Sequence, residues 1–194
     1  MDLFNFYFSF FGLLLGLAAA EVAGGFATAI QARRQIPIGA LTLLLALFVL
    51  VDLASFWRWA WANREFVSLR GLLIEASLLV TLPYYLAASL VFPRVNERVA
   101  SLDEHYWANK RFVVAGVLCA NTIIFAFNTM HYGLPSRAEP LAWLSLLTFY
   151  WPLAGLLFTH RRRVDIALLA ILIGHFVITN AYRISLEGAA IAGS

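Results

Sequence analysis

Apolar residues run through this chain in long blocks, and the polar ones gather in short breaks between them. A helix needs about 20 residues to cross a hydrocarbon core about 30 Å thick. Six blocks reach that length, and they predict membrane-spanning helices at Phe4–Ala32, Pro37–Trp61, Ser68–Phe92, Phe112–Tyr132, Pro140–His160 and Val164–Ser185. The expected fold is an all-α, polytopic membrane bundle of about six transmembrane helices. One stretch between blocks carries a different pattern. Val95, Val99, Leu102 and Tyr106 recur at helical spacing, with Asn96, Glu97, Arg98, Asp103 and Glu104 on the other faces. That predicts a short interfacial helix over about 95–107, able to gate a pathway or to lie on the headgroups.

The breaks are unequal in charge. Arg33 and Arg34 follow the first span, Arg94, Arg98, Lys110 and Arg111 follow the third, and Arg161, Arg162 and Arg163 follow the fifth, whereas the opposite side offers Arg64 and Arg137. Lys and Arg accumulate in cytoplasmic loops, so both termini are expected outside the cytoplasm, as in a bacterial inner membrane protein with periplasmic ends. The first block ends near a small-residue run, Ala18-Ala19-Ala20, that could pass for a signal cleavage site. Its flanks carry Asp2 before it and two arginines after it, the charge order of a retained anchor.

Composition adds a bound. The 194 residues are 62% hydrophobic and 13% charged, with mean hydropathy +0.79, far from a soluble average. No polar stretch is long enough to fold alone, so residues 1–194 are expected to form a single transmembrane domain. The excess of 14 Lys and Arg over 11 Asp and Glu reflects orientation, and the expected partner is the lipid bilayer, not nucleic acid. Cys119 is the only cysteine, which excludes an intrachain disulfide and a cysteine-rich metal framework.

Several local features shape the bundle. The run Phe56-Trp57-Arg58-Trp59-Ala60-Trp61 is expected to anchor the outer end of the second span at the headgroups. Gly12, Gly16, Ala20 and Gly24 form a small-residue ridge that lets another backbone approach, an intrachain neighbour by preference or a second copy in a homo-oligomer. Pro83 and Pro152 are expected to kink their spans. The fifth span, with no ionisable residue before His160, is expected to face lipid most. Three spans in each half permit an inverted repeat, although no motif aligns between the halves.

Ionisable groups inside spans carry the functional signal, since each costs about 2.5–3.5 kcal/mol at the bilayer centre unless paired, hydrated or used. Glu21, Asp52, Arg58, Arg70, Glu75, His175 and Arg183 fall inside the predicted spans, and Asn121, Asn128 and Asn180 add neutral polarity. Most are expected in the half away from the basic loops, leaving the cytoplasmic halves nearly all apolar. Three acids could pair with three arginines and merely fix helix register. Alternatively the group lines an outward-facing polar pocket ending near Glu21 and His175, the candidate proton carriers. Residues three, four or seven apart share a helix face, so Asp52 lies with Ser55 and Trp59, Asn121 with Asn128, and His175 with Thr179 and Tyr182.

The working expectation is therefore a small transporter or channel for an ion, proton or small polar solute. Its competitors are a membrane-embedded enzyme acting on a lipid-phase substrate and a structural or sensory subunit. No catalytic residue and no cofactor is expected. Glu21, Asp52, Glu75, His131 and His175 are adequate metal ligands chemically, but no two stand at a ligand spacing, so a metal site has only weak support.

Overall fold

The computed structural model describes the backbone of residues 3–64, 73–94 and 99–192, and the side chains of residues 5–64, 77–94 and 99–182. Arg70 therefore lies outside the described residues, as do the side chains of Glu75 and Arg183. Among the described residues six helices follow in chain order: α1 (Leu3–Ala32), α2 (Ala40–Ala62), α3 (Leu73–Ser89), α4 (Leu102–Tyr132), α5 (Pro140–Phe158) and α6 (Arg162–Ala192). Five are long and apolar enough to cross a membrane, and α3 supplies a shorter apolar helix over Ser77–Ser89. The chain is thus a helical membrane bundle.

The interfacial helix expected over about 95–107 is corrected. Its second half belongs to α4, one continuous helix that starts at Leu102; residues 95–98 lie outside the described residues. Ser101 caps it, accepting the Glu104 amide at 3.1 Å, while the Glu104 carboxylate accepts the Ala100 amide at 2.8 Å. These reciprocal bonds satisfy donors that a helix start otherwise leaves open. At the other end Gly133, at φ 79°, terminates α4 in the left-handed region that glycine adopts without cost. Thirty-one residues make about 46 Å of helix, longer than a hydrocarbon core, so α4 projects into the loops at the basic end.

Packing follows a simple plan. Helices α2 and α4 lie side by side at the centre, α1 and α3 close a four-helix ring with them on one flank, and α5 and α6 close another on the opposite flank. Helix directions can be read from contacts. Asp52, Trp59 and Asn63 meet Asn121, Asn128 and Tyr132 in the same order, so α2 and α4 run parallel. Phe8 meets Trp61 and Gly12 meets Trp57, so α1 runs antiparallel to α2. Although α1 packs along α3, their counterparts in an inverted repeat, α4 and α6, form no comparable seam among the described residues.

Two sequence expectations change here. The small-residue ridge serves as an intrachain seam only at Gly12, where the Trp57 indole would stand 3.1 Å from an added Cβ; Gly16 and Gly24 face open space. The aromatic run of α2 is mostly absorbed into packing, with Trp57 against Gly12 and Trp59 bonded to Asn128, leaving Trp61 at 58% exposure as the anchor-like ring. Close packing elsewhere is tight. At Gly116 of α4 an added Cβ would lie 2.6 Å from the Pro83 carbonyl oxygen, so the α3 and α4 backbones touch there.

Candidate functional site

Polar side chains inside the bundle fall into separate groups. The central one lies between α2 and α4. Asp52 is fully buried, and its Oδ2 accepts the Asn121 side-chain amide at 3.0 Å. Its Oδ1 has no hydrogen-bond partner. The neighbouring Tyr84 hydroxyl commits its single proton to the Val49 carbonyl oxygen at 2.6 Å, leaving its own oxygen toward the carboxyl group. Arg58, half-buried about two turns along α2, adds its positive charge at longer range.

From Asp52 a ladder climbs the seam. Seven residues further along both helices, Trp59 Nε1 donates to Asn128 Oδ1 at 2.9 Å, and four residues beyond that the Tyr132 hydroxyl donates to Asn63 Oδ1 at 2.8 Å. Eleven residues of helix make the ladder about 16 Å long. The repeats of seven and four arise because residues so spaced share a face, and parallel helices keep those faces in register. Tyr150 of α5 braces the lower rung by donating to the Asn121 carbonyl at 3.1 Å. The upper rungs border an open cavity of about 260 Å³ lined by Phe125, Asn128, Thr129, Tyr132, Ala142 and Ser145.

Glu21 and His175 do not join this group. Glu21 is exposed on α1 and accepts the Tyr85 hydroxyl of α3 at 2.9 Å, in a second cavity that also contains Arg94. His175 is half-buried on α6 and bonds through Nδ1 to the Thr148 hydroxyl of α5 at 2.9 Å, with Phe149 and Phe176 against its ring. The two stand on opposite flanks of the α2–α4 pair. Asn180 lies half-buried further along α6. The single funnel expected from the sequence is therefore divided: Asp52, Asn121 and Asn128 come together, while Glu21 and His175 are elsewhere. Among the described residues no three His, Cys, Asp or Glu side chains gather as a metal site.

The expectation of apolar cytoplasmic halves is corrected by a cluster at the basic-loop end. Lys110 and Asp165 are both fully buried and form an ion pair at 2.5 Å. Asp165 also accepts the Tyr106 hydroxyl at 2.9 Å and the Thr159 hydroxyl. Lys110 donates to the Thr159 carbonyl at 2.5 Å and sits 4.5 Å from the centre of the Trp107 ring. Sequence reasoning treated Lys110 as a loop charge and overlooked Asp165. A signal was present: Tyr106, Lys110, Val113 and Val117 share one face of α4, and Asp165, Leu169, Leu172 and Phe176 share one face of α6, each otherwise buried. Both charges thus occupy core positions, where only mutual pairing makes them tolerable.

The connections at that end are tied together as well. Asp103 accepts the Leu41 amide at 3.3 Å and pairs with Arg162 at 3.3 Å, the Thr42 hydroxyl donates to the Leu102 carbonyl at 2.7 Å, and His105 bonds the Leu90 carbonyl at 3.0 Å. Arg111 reaches the Leu157 carbonyl at 3.1 Å and His160 at 2.8 Å. Comparison with family models, curated proteins and solved structures finds no match to this chain.

Proposed function

We propose that the protein carries a proton, an ion or a small polar solute across the membrane, with Asp52 as the group that binds it. The observation behind this reading is the placement of Asp52. It is fully buried, has one unpartnered oxygen, and stands at the foot of a polar ladder that leads to an open cavity. A buried carboxylate with half its acceptor capacity unused costs several kcal/mol. A proton or cation at Oδ1 removes that cost. The Tyr84 oxygen, whose own proton is committed to Val49, is a neighbouring acceptor for such a proton.

The ladder supplies the route. Its amides, indole N–H and phenol offer alternating donors and acceptors along a path that is otherwise apolar. Below Asp52, Leu45, Phe48 and Val49 are buried and the Lys110–Asp165 cluster closes the end, which fits a carrier open on the ladder side. Convergence of the three basic connections at the closed end supports placing it in the cytoplasm, with both termini outside and the ladder opening outward. An inner-membrane location belongs to the same proposal.

Purified protein reconstituted in liposomes with an internal pH-sensitive dye tests the reading. Under an imposed pH gradient, native protein should acidify the lumen faster than empty liposomes, and Asp52→Asn should fall to the empty-liposome rate. Equal rates for native and Asp52→Asn would remove Asp52 from the pathway. Native flux no greater than that of empty liposomes, for protons and for sodium and potassium ions alike, would remove the proton and monovalent-cation readings.

A further inference from the structure

The cavity beside Glu21 has a different design from the ladder pocket. Helices α1 and α3 run parallel, since Glu21 meets Tyr85 and, further along both, Phe26 meets Phe92. Helix α3 stops at Ser89 while α1 continues to Ala32, and the chain turns away through Phe92 and Pro93. This mismatch opens a cleft of about 460 Å³ between them, within the roughly 300–1,000 Å³ usual for small-molecule sites. Gly25 makes the turn fit, because a Cβ there would lie 2.6 Å from the Phe92 Cβ.

The cleft carries opposite charges at its two ends. At the deep end Glu21 is exposed about 16 Å before the end of α1, and its Oε1 accepts the Tyr85 hydroxyl at 2.9 Å. Ser89, one turn beyond Tyr85, and Thr28, two turns beyond Glu21, add hydroxyls along the way. Arg94, also exposed, lines the mouth at the basic end. Among the described residues Tyr85 is the one polar partner of Glu21, so Oε2 keeps its acceptor capacity. A carboxylate inside a span calls for a partner, and one neutral hydroxyl does not balance its charge. Apart from Phe92 and Pro93, the lining side chains are small or polar, which suits a water-soluble occupant and not an acyl chain.

We infer that this cleft binds a small ω-amino acid, which enters from the basic end with its ammonium leading. The ammonium donates to Glu21 Oε2, the methylenes pass Ala88 and Phe92, and the carboxylate accepts from Arg94 at the mouth. The order of charges decides the class. A carboxylate at the deep end and a guanidinium at the mouth fit a molecule whose own charges stand at opposite ends, whereas an α-amino acid carries both on adjacent carbons. Each end then forms a charge-assisted hydrogen bond, and the planar fork of arginine matches a carboxylate. The site is separate from Asp52, and its test reads binding instead of flux, so it does not depend on the transport reading.

Saturation-transfer difference NMR of the purified full chain in detergent, titrated with 4-aminobutyrate, n-butylamine, butyrate or glycine, tests the assignment. Native protein should bind 4-aminobutyrate about tenfold tighter than either n-butylamine or butyrate, the ratio expected from one charge-assisted bond at each end. Glu21→Gln should erase the preference over butyrate and keep the preference over n-butylamine. Arg94→Gln should do the opposite. A merely structural role for either residue would weaken all the probes together, and that result would overturn the assignment. No saturable binding of 4-aminobutyrate, or n-butylamine binding as tightly as 4-aminobutyrate, would overturn the proposal. Glycine binding tighter than 4-aminobutyrate would overturn the end-to-end arrangement. Both residues are exposed, so their variants should fold. Arg94→Lys, which keeps the charge, should retain part of the preference over n-butylamine.

Discussion

Removing Lys110 alone from the Lys110–Asp165 pair should damage the protein far more than removing both partners, with loss of Asp165 alone between the two. The structure gives the asymmetry in detail. Lys110→Met leaves a fully buried carboxylate with the Tyr106 and Thr159 hydroxyls as its side-chain donors and no countercharge. Breaking a buried pair in this way costs about 3–5 kcal/mol. Asp165→Asn is gentler, because Lys110 keeps the Thr159 carbonyl at 2.5 Å and the Trp107 ring at 4.5 Å, and the new amide oxygen can still accept. A cost of about 1–3 kcal/mol is expected, since a buried cation on a ring face retains about 2 kcal/mol of attraction. The double variant Lys110→Met/Asp165→Leu removes both charges and fills similar volume, so it should lie within about 1–2 kcal/mol of native on either side. Reversible unfolding in mixed detergent micelles, followed by tryptophan fluorescence, compares all four proteins. Additive costs, with the double variant as unstable as the sum of the singles, would refute the argument that the two charges occupy one dry site. Single costs below about 1 kcal/mol would refute it too, because they are the mark of a solvated pair.

Other outcomes follow from the fold. Gly116→Ala should destabilise by about 1–3 kcal/mol in the same unfolding assay, because the added methyl meets the Pro83 carbonyl of a backbone that cannot move aside. Gly16→Ala, which meets nothing within 4 Å, should instead stabilise by about 0.5–1 kcal/mol, and the reverse order of the two would show that the α3–α4 contact is misplaced. Alkaline phosphatase fused after Ser194 should be active and a fluorescent protein at the same point dark; the opposite pattern would invert the proposed orientation.

Some of the packing is legible in the sequence beyond what hydropathy shows. Ser101-Leu102-Asp103-Glu104 is a capping box, and it marks the start of α4 ten residues before the apolar block that defines the span. Extending the Leu102–Tyr106 stripe by one more turn places Lys110 on the buried face. Hydropathy hides this, because a window that looks for apolar runs ends a helix at its first charges even where the helix continues. Other features leave no local trace. Nothing around Glu21 distinguishes a cleft wall from a buried carrier, since its environment depends on where α3 ends. His175 faces α5 and not the ladder because of how α6 rotates against its neighbour.

What the sequence determined alone was the class of the object: helices long and apolar enough to span a bilayer, basic connections between alternate spans, and the shared faces Asp52/Trp59 and Asn121/Asn128. These follow from hydrophobic transfer and the helical repeat, which act within a segment. The tertiary structure alone decided which faces meet. It put the Asp52 and Asn121 stripes together in parallel register, sent Glu21 and His175 to opposite flanks, and joined Lys110 to Asp165 across fifty-five residues of chain. Inside a bilayer the hydrophobic effect does not choose helix partners, so that choice rests on close packing and polar bonds between distant segments, neither of which any one segment encodes.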